Sequence, residues 1–165
     1  MESELVRVVS VEPETMRREE FGITYYIPIG LRLGLEDGRE FKIYSVPYDV
    51  VEAIVMLKRG DPPPRRQSLF AFLAYHEDFK FIFDRVLDKV VIDEFDPNTG
   101  LYTATVYFES DGIRLQVKMI PSHAIYLALV TDKPIYVSER LVQMYEEEME
   151  YEEEEYEDEF DDEEF

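Results

Sequence analysis

From Pro121 to Leu129 the chain reads Pro-Ser-His-Ala-Ile-Tyr-Leu-Ala-Leu, and wound as a helix this stretch is apolar nearly all round. A helix without a polar face persists in water only when other elements cover it. The fold must therefore gather around this segment, which Pro121-Ser122-His123 opens and Thr131-Asp132-Lys133-Pro134 stops.

Strand-like sequence supplies the cover. Leu5 to Val11 is β-branched and partly alternating, and it predicts a first strand ending at Glu12-Pro13. Phe21 to Leu35 is a second extended run, broken at Pro28 and Gly30, and Glu36-Asp37-Gly38-Arg39 turns it into a third over Glu40 to Val46. Pro47 fits a first helical turn, and Val50, Val51, Ile54, Val55 and Leu57 carry helical spacing to Gly60. Asp61-Pro62-Pro63-Pro64 forbids helix. Ser68 to about Leu87 returns to helical spacing, as one interrupted helix or two short ones. Lys89–Phe95, Leu101–Glu109 and Ile113–Met119 predict an antiparallel meander turned at Asn98-Thr99-Gly100 and Asp111-Gly112. Ile135-Tyr136-Val137 is a brief strand, and Ser138 suits the N-cap of a last helix through Leu141, Val142 and Tyr145. Hairpin-joined strands with grouped helices predict an α+β fold: a mixed, largely antiparallel sheet with packed helices.

Charge is distributed unevenly. The 165 residues carry a net charge of −21, but residues 145–165 hold fifteen acids and no base. What remains, residues 1–144, has 23 acidic against 17 basic side chains, net −6. The expected organisation is one domain over 1–144 and an acidic tail over 145–165, disordered or a marginal helix. Leu141, Tyr145 and Met149 lie four apart and extend an apolar stripe, while like charges at i, i+4 repel by roughly 0.2–0.5 kcal/mol per pair. Such a tail solubilises, covers a basic groove as a nucleic-acid mimic, or docks on a protein partner through its aromatics.

Composition excludes several chemistries. With no cysteine there is no thiolate, and two histidines, His76 and His123, leave little for zinc. Any metal is expected to be a hard ion, Mg²⁺ or Mn²⁺, on carboxylates. No run of about 18 apolar residues occurs, and Met1-Glu2-Ser3-Glu4 has neither basic head nor apolar signal core. The expectation is a cytoplasmic protein with no membrane partner.

The carboxylates best spaced for a metal are Asp93, Glu94 and Asp96, at a strand end and its turn, where solvation alone also explains them. Lys58, Arg59, Arg65 and Arg66 bracket the prolines on a stiff connection near Phe70 and Phe72, the best basic patch for nucleic acid in a mildly acidic body. Arg17-Arg18 is a weaker one. Ser122 and His123 are adjacent, so on a helix they point about 100° apart and share no proton. Ser122 reads as a helix-opening cap, and the free N–H groups of that helix start suit an anion. His76-Glu77-Asp78 fits a loop between two helices.

Three segments in order resemble the bifunctional nuclease domain family. Pro121 to Leu129 followed by Pro134-Ile135-Tyr136-Val137 is similar to that family's Arg-Pro-Ser-Asp-Ala-Ile-Ala-Leu-Ala helix and Pro-Ile-Tyr-Val strand. Val90-Val91-Ile92-Asp93 with Leu101-Tyr102-Thr103-Ala104 resembles the paired strands before that helix, and Glu52-Ala53-Ile54 with Pro64-Arg65 resembles its earlier helix and proline-arginine connection. The resemblance spans roughly residues 1–144 and implies an α+β domain, often a homodimer, with hydrolysis of DNA and RNA in some members. Where the family has Asp-Ala-Arg-Pro-Ser-Asp, this chain has Lys118-Met119-Ile120-Pro121-Ser122-His123, without both acids and the arginine.

Two functions follow as expectations. In the first, a metal-assisted phosphodiesterase, Glu52 or the Asp93 cluster holds the ion, Ser122 and His123 meet the phosphate or leaving oxygen, and Arg65 with Arg66 steers the backbone. In the second, a regulatory module without catalysis uses residues 145–165 to bind a protein partner.

Overall fold

A computed structural model describes the backbone of residues 4–161 and the side chains through Glu157. The elements run β1 (Leu5–Glu20), β2 (Ile23–Leu35), β3 (Glu40–Tyr44), α1 (Tyr48–Arg59), α2 (Leu69–Tyr75), α3 (Glu77–Val86), β4 (Leu87–Asp96), β5 (Leu101–Ser110), β6 (Ile113–Met119), α4 (Pro121–Thr131), β7 (Ile135–Ser138) and α5 (Glu139–Asp161). Seven strands form one sheet in the order β3-β2-β1-β7-β4-β5-β6. Among the described residues only the β4–β7 pairing is parallel, so the α+β class with a mixed, largely antiparallel sheet holds.

The apolar stretch at Pro121 is the centre of the molecule. Nine of the eleven α4 residues are buried, and α4 meets α1, α2, α3, β4 and β5. Each large apolar side chain taken from water there contributes roughly 1.5–3 kcal/mol. The sheet curls around this core: Phe41 of β3 lies with its ring 5.1 Å from Tyr102 of β5, although four strands separate β3 from β5 in the sheet order. Tyr145 closes the same cluster, 5.3 Å from Phe41.

The first strand does not end at Pro13. β1 continues to Glu20 and pairs with β2 from Val8 onward, Pro13 opposite Leu31. A residue lacking N–H is tolerated because β7 pairs with β1 only over Leu5–Arg7, leaving its other side an edge from there on. The expected break near Pro28 and Gly30 is a bulge, seen as a register shift between Glu14 and Thr15. Gly30 is obligatory there, since a Cβ would lie 2.1 Å from the Ile43 carbonyl oxygen. Phe21 and Gly22 turn the hairpin with φ of 53° and 76°, the positive pair that a tight two-residue turn requires.

The helical region 68–87 is two helices, parted at His76. Ser68 caps α2, its Oγ accepting from the Ala71 N–H at 3.1 Å, and Ser138 accepts from Leu141 at the start of α5. The 144/145 position falls inside α5, where Tyr145 is buried and Met149 still packs on the core. Arg39, in the β2–β3 turn, clamps this helix by reaching Glu139 at 2.6 Å and Glu146 at 3.0 Å. Among the described residues no helix is long and apolar enough to cross a membrane.

Candidate functional site

Buried Val50, Val51, Ala53 and Ile54 hold α1 against the core. Its neighbouring stripe, Asp49, Glu52, Ala53, Met56 and Leu57, runs at i, i+3, i+4, i+7 and i+8 and lines a cavity of about 220 Å³. Pro64, Arg66, Ser68, Ala71, Ala74 and Tyr75 form the opposite wall, and Tyr126 of α4 contributes from the core. The cleft thus joins one helix, the proline connection and a second helix.

Two phenols fix that second wall. Tyr75 donates its hydroxyl to the Asp61 carbonyl at 2.7 Å, fastening the proline connection to α2. Tyr126 donates to the Phe70 carbonyl, fastening α2 to α4. Burial, and next the nearby Tyr75, push the Tyr126 phenol well above its usual range, so it is a donor at neutral pH.

The cleft gathers opposite charges without spending them on one another. Among the described residues neither Glu52 nor Arg66 takes part in an ion pair. Asp49 accepts the Val50 N–H through Oδ1 at 2.9 Å. Two carboxylates one turn apart are the hard oxygen donors that Mg²⁺ or Mn²⁺ takes from protein, and a guanidinium opposite them suits a phosphate.

The other sequence candidates lie elsewhere. Lys58 faces β1, donating to the Val11 carbonyl at 2.6 Å and pairing with Glu12, where it seals the edge that β7 leaves open. Arg59 and Arg65 are exposed outside the cleft lining. Ser122 is buried with no hydrogen-bond partner for Oγ, so it is not a cap. Pro121 takes the first helical position, where a missing N–H costs nothing. The N–H groups of His123 and Ala124 both go to the Ile120 carbonyl, which leaves that helix start poor in donors for an anion. His123 packs edge-on against Phe70 at 5.1 Å.

The carboxylates at the strand end are absorbed into a polar ladder across three strands. Buried Thr105 donates to Asp93 at 3.0 Å and accepts from Lys118 at 2.8 Å, while Lys118 pairs with Glu94 at 2.7 Å. The bond to Glu94, helped by the charge of Asp93, raises the Lys118 pKa. Asp96 accepts the Asn98 N–H in its turn. Among the described residues no three His, Cys, Asp or Glu side chains gather as a metal cluster.

Asp49, Ser68, Tyr75 and Tyr126 went unmarked as members of one site. A signal existed for the first: Asp49 and Glu52 share a helical stripe beside the buried one. Nothing local in the sequence brings Ser68 or Tyr75 to that stripe.

No curated protein matches the chain. The family model of the bifunctional nuclease domain matches residues 48–150, from the start of α1 into α5, a span that includes every residue of the cleft and leaves β1 to β3 outside. Matched over more than half its length, with the apolar central helix inside the matched span, the chain belongs to the bifunctional nuclease domain family.

Proposed function

We propose that this protein is a nuclease-like domain that hydrolyses phosphodiesters of DNA or RNA in the cleft between α1 and α2. The supporting observation is the meeting of Glu52 and Asp49 with Arg66 across one cavity, inside the span matched by the family. Asp49 and Glu52 would hold a Mg²⁺ or Mn²⁺ ion, which when bound supplies neutralisation of phosphoryl charge and a more acidic water. Arg66 orients the phosphate by paired N–H donors and stabilises charge developing on its oxygens. Ser68 and Tyr75 shape the wall, and the apolar Met56 and Leu57 keep one side of the cleft dry. The family's acids ahead of the central helix are replaced here, so catalysis rests on the earlier helix. Asp93 already accepts from Thr105, and Glu94 is paired with Lys118, so these carboxylates contribute structure.

The test is the full-length chain with labelled single-stranded DNA, double-stranded DNA and RNA, in Mg²⁺, in Mn²⁺ and in chelator. Metal-dependent shortening of any of the three supports the reading. Intact substrate under every condition removes it.

A regulatory module is the second reading, and α5 favours it. Beyond Met149 this helix carries glutamates with exposed Tyr151 and Tyr156, a surface suited to a basic protein partner. Capture of such a partner that survives loss of Glu52 and Arg66 distinguishes the module from the enzyme.

A further inference from the structure

We propose that the nucleic acid taken by the cleft is single-stranded, and that its bases stack on an aromatic ladder, Phe72, His76 and Phe79, which leads from the cleft wall along α2 onto α3. The inference rests on the nuclease-like reading of the cleft and names the form of substrate that reading leaves open.

The ladder adjoins the wall that carries Arg66. Ser68 and Tyr75 line the cleft, and Phe72, four residues after the first and three before the second, stands beside them on α2. His76 follows at the junction of α2 and α3. Its Nε2 lies 3.3 Å from Oε1 of Gln67, the residue between Arg66 and Ser68. The His76 ring is 4.5 Å from that of Phe72, and Phe72 is 5.0 Å from Phe79 in the first turn of α3. Three rings in contact thus lead away from the segment that holds Arg66.

Burial does not account for these rings. His76 is exposed and Phe79 is 44% exposed. α3 has no buried residue, and Leu69, at the start of α2, is exposed as well. Aromatic faces left in water beside a cleft are a surface on which another planar group can stack.

Charge and size choose the occupant. Residues 64–80 carry three cations, Arg65, Arg66 and Lys80, against two acids, Glu77 and Asp78, whereas residues 1–144 as a whole are net −6. Among the described residues none of the three cations forms an ion pair. Three cations draw a phosphate chain to this side of an acidic molecule but neutralise few phosphates, and affinity from that source grows with the number neutralised. Stacking of bases on aromatic rings supplies the remainder without regard to sequence. At about 220 Å³ the cleft is also smaller than the roughly 300 Å³ at which sites for drug-sized ligands begin, so the bases flanking a held phosphate rest outside it. A duplex keeps the faces of its internal bases against their neighbours. Only an unpaired strand can splay them onto Phe72, His76 and Phe79.

In chelator, where cleavage is suppressed, short single strands of DNA and of RNA carrying the fluorescent base 2-aminopurine are titrated into the full-length chain, Phe79→Ala, Phe79→Trp and Phe81→Ala, with circular dichroism to confirm folding. Phe81 is exposed on the opposite side of α3 and serves as the control. The duplex of the same sequence, and a strand with abasic positions in place of its bases, are titrated into the wild type, a comparison that needs no variant. The expected results are quenching of 2-aminopurine on binding and an affinity lower by about tenfold for Phe79→Ala, for the abasic strand and for the duplex. Phe79→Trp and Phe81→Ala should bind as the wild type does, and Phe79→Ala should lose nothing further on the abasic strand. No binding, equal affinity for single strand, abasic strand and duplex, or Phe79→Ala binding as tightly as wild type overturns the proposal. Cleavage in Mn²⁺ keeps the two readings apart. Cleavage of single strand and duplex at one rate, unchanged by Phe79→Ala, overturns the ladder and leaves the nuclease, whereas stacking without cleavage overturns the nuclease and leaves the ladder.

Discussion

Tyr126 on the central helix gives its phenolic hydrogen to the main-chain carbonyl of Phe70 on α2, and through that bond the buried core sets the position of one wall of the cleft. Its ring also packs edge-on to Phe70 at 5.3 Å. Tyr126→Phe keeps the packing and leaves the carbonyl unpaired. We expect a loss of about 1–2 kcal/mol in urea unfolding, with weaker substrate binding as α2 loosens.

Ser122 makes the opposite case. Its hydroxyl is buried without a partner, a condition that costs about 1–3 kcal/mol relative to water. Ser122→Ala is therefore expected to leave the unfolding midpoint unchanged or raise it, and to leave cleavage unchanged because Ser122 is not part of the cleft lining. Loss of cleavage with the fold intact restores a catalytic role for this serine.

Gly30 allows no side chain. The Cβ of Gly30→Ala would stand 2.1 Å from the Ile43 carbonyl oxygen, a backbone atom that cannot rotate away. The variant is expected to lose at least about 2 kcal/mol, read as a lower thermal midpoint or as failure to fold.

The clamp at Arg39 has a pH signature. Hydrogen bonds from Arg39 lower the pKa of both Asp37 and Glu139. A carboxylate with a lowered folded-state pKa adds stability that is present above its unfolded value, about 4, and is lost as pH falls through the folded value. Wild type should therefore exceed Arg39→Ala in thermal midpoint at neutral pH, and the two curves should converge in acid. Added salt should narrow the gap as well, since these charges are partly exposed.

The parts of this fold that sequence made legible are those whose physics is local. The central helix is written in a run with no polar face, the meander in Gly100 and Gly112, and the last helix in Ser138. β1 beyond Pro13 was hidden because the tolerance for proline depends on a strand, β7, that covers only three of its residues. The candidate cleft was half legible. Glu52 and Arg66 were named from residue type and connection stiffness, whereas Ser68 and Tyr75 reach the cleft only through the docking of α2 on α4. Lys58 and the Asp93 group are chemically suitable, and what nothing local in the sequence signals is that each already has a distant partner: Glu12 for Lys58, Thr105 for Asp93 and Lys118 for Glu94.

Single-turnover cleavage by wild type, Glu52→Gln and Arg66→Gln, in Mn²⁺ and with folding verified, tests the central claim most directly. The cleft between α1 and α2 predicts metal-dependent cleavage by the wild type that falls about 10²-fold or more in each variant. Cleavage by both variants at the wild-type rate, or no cleavage by the wild type on DNA or RNA, contradicts it.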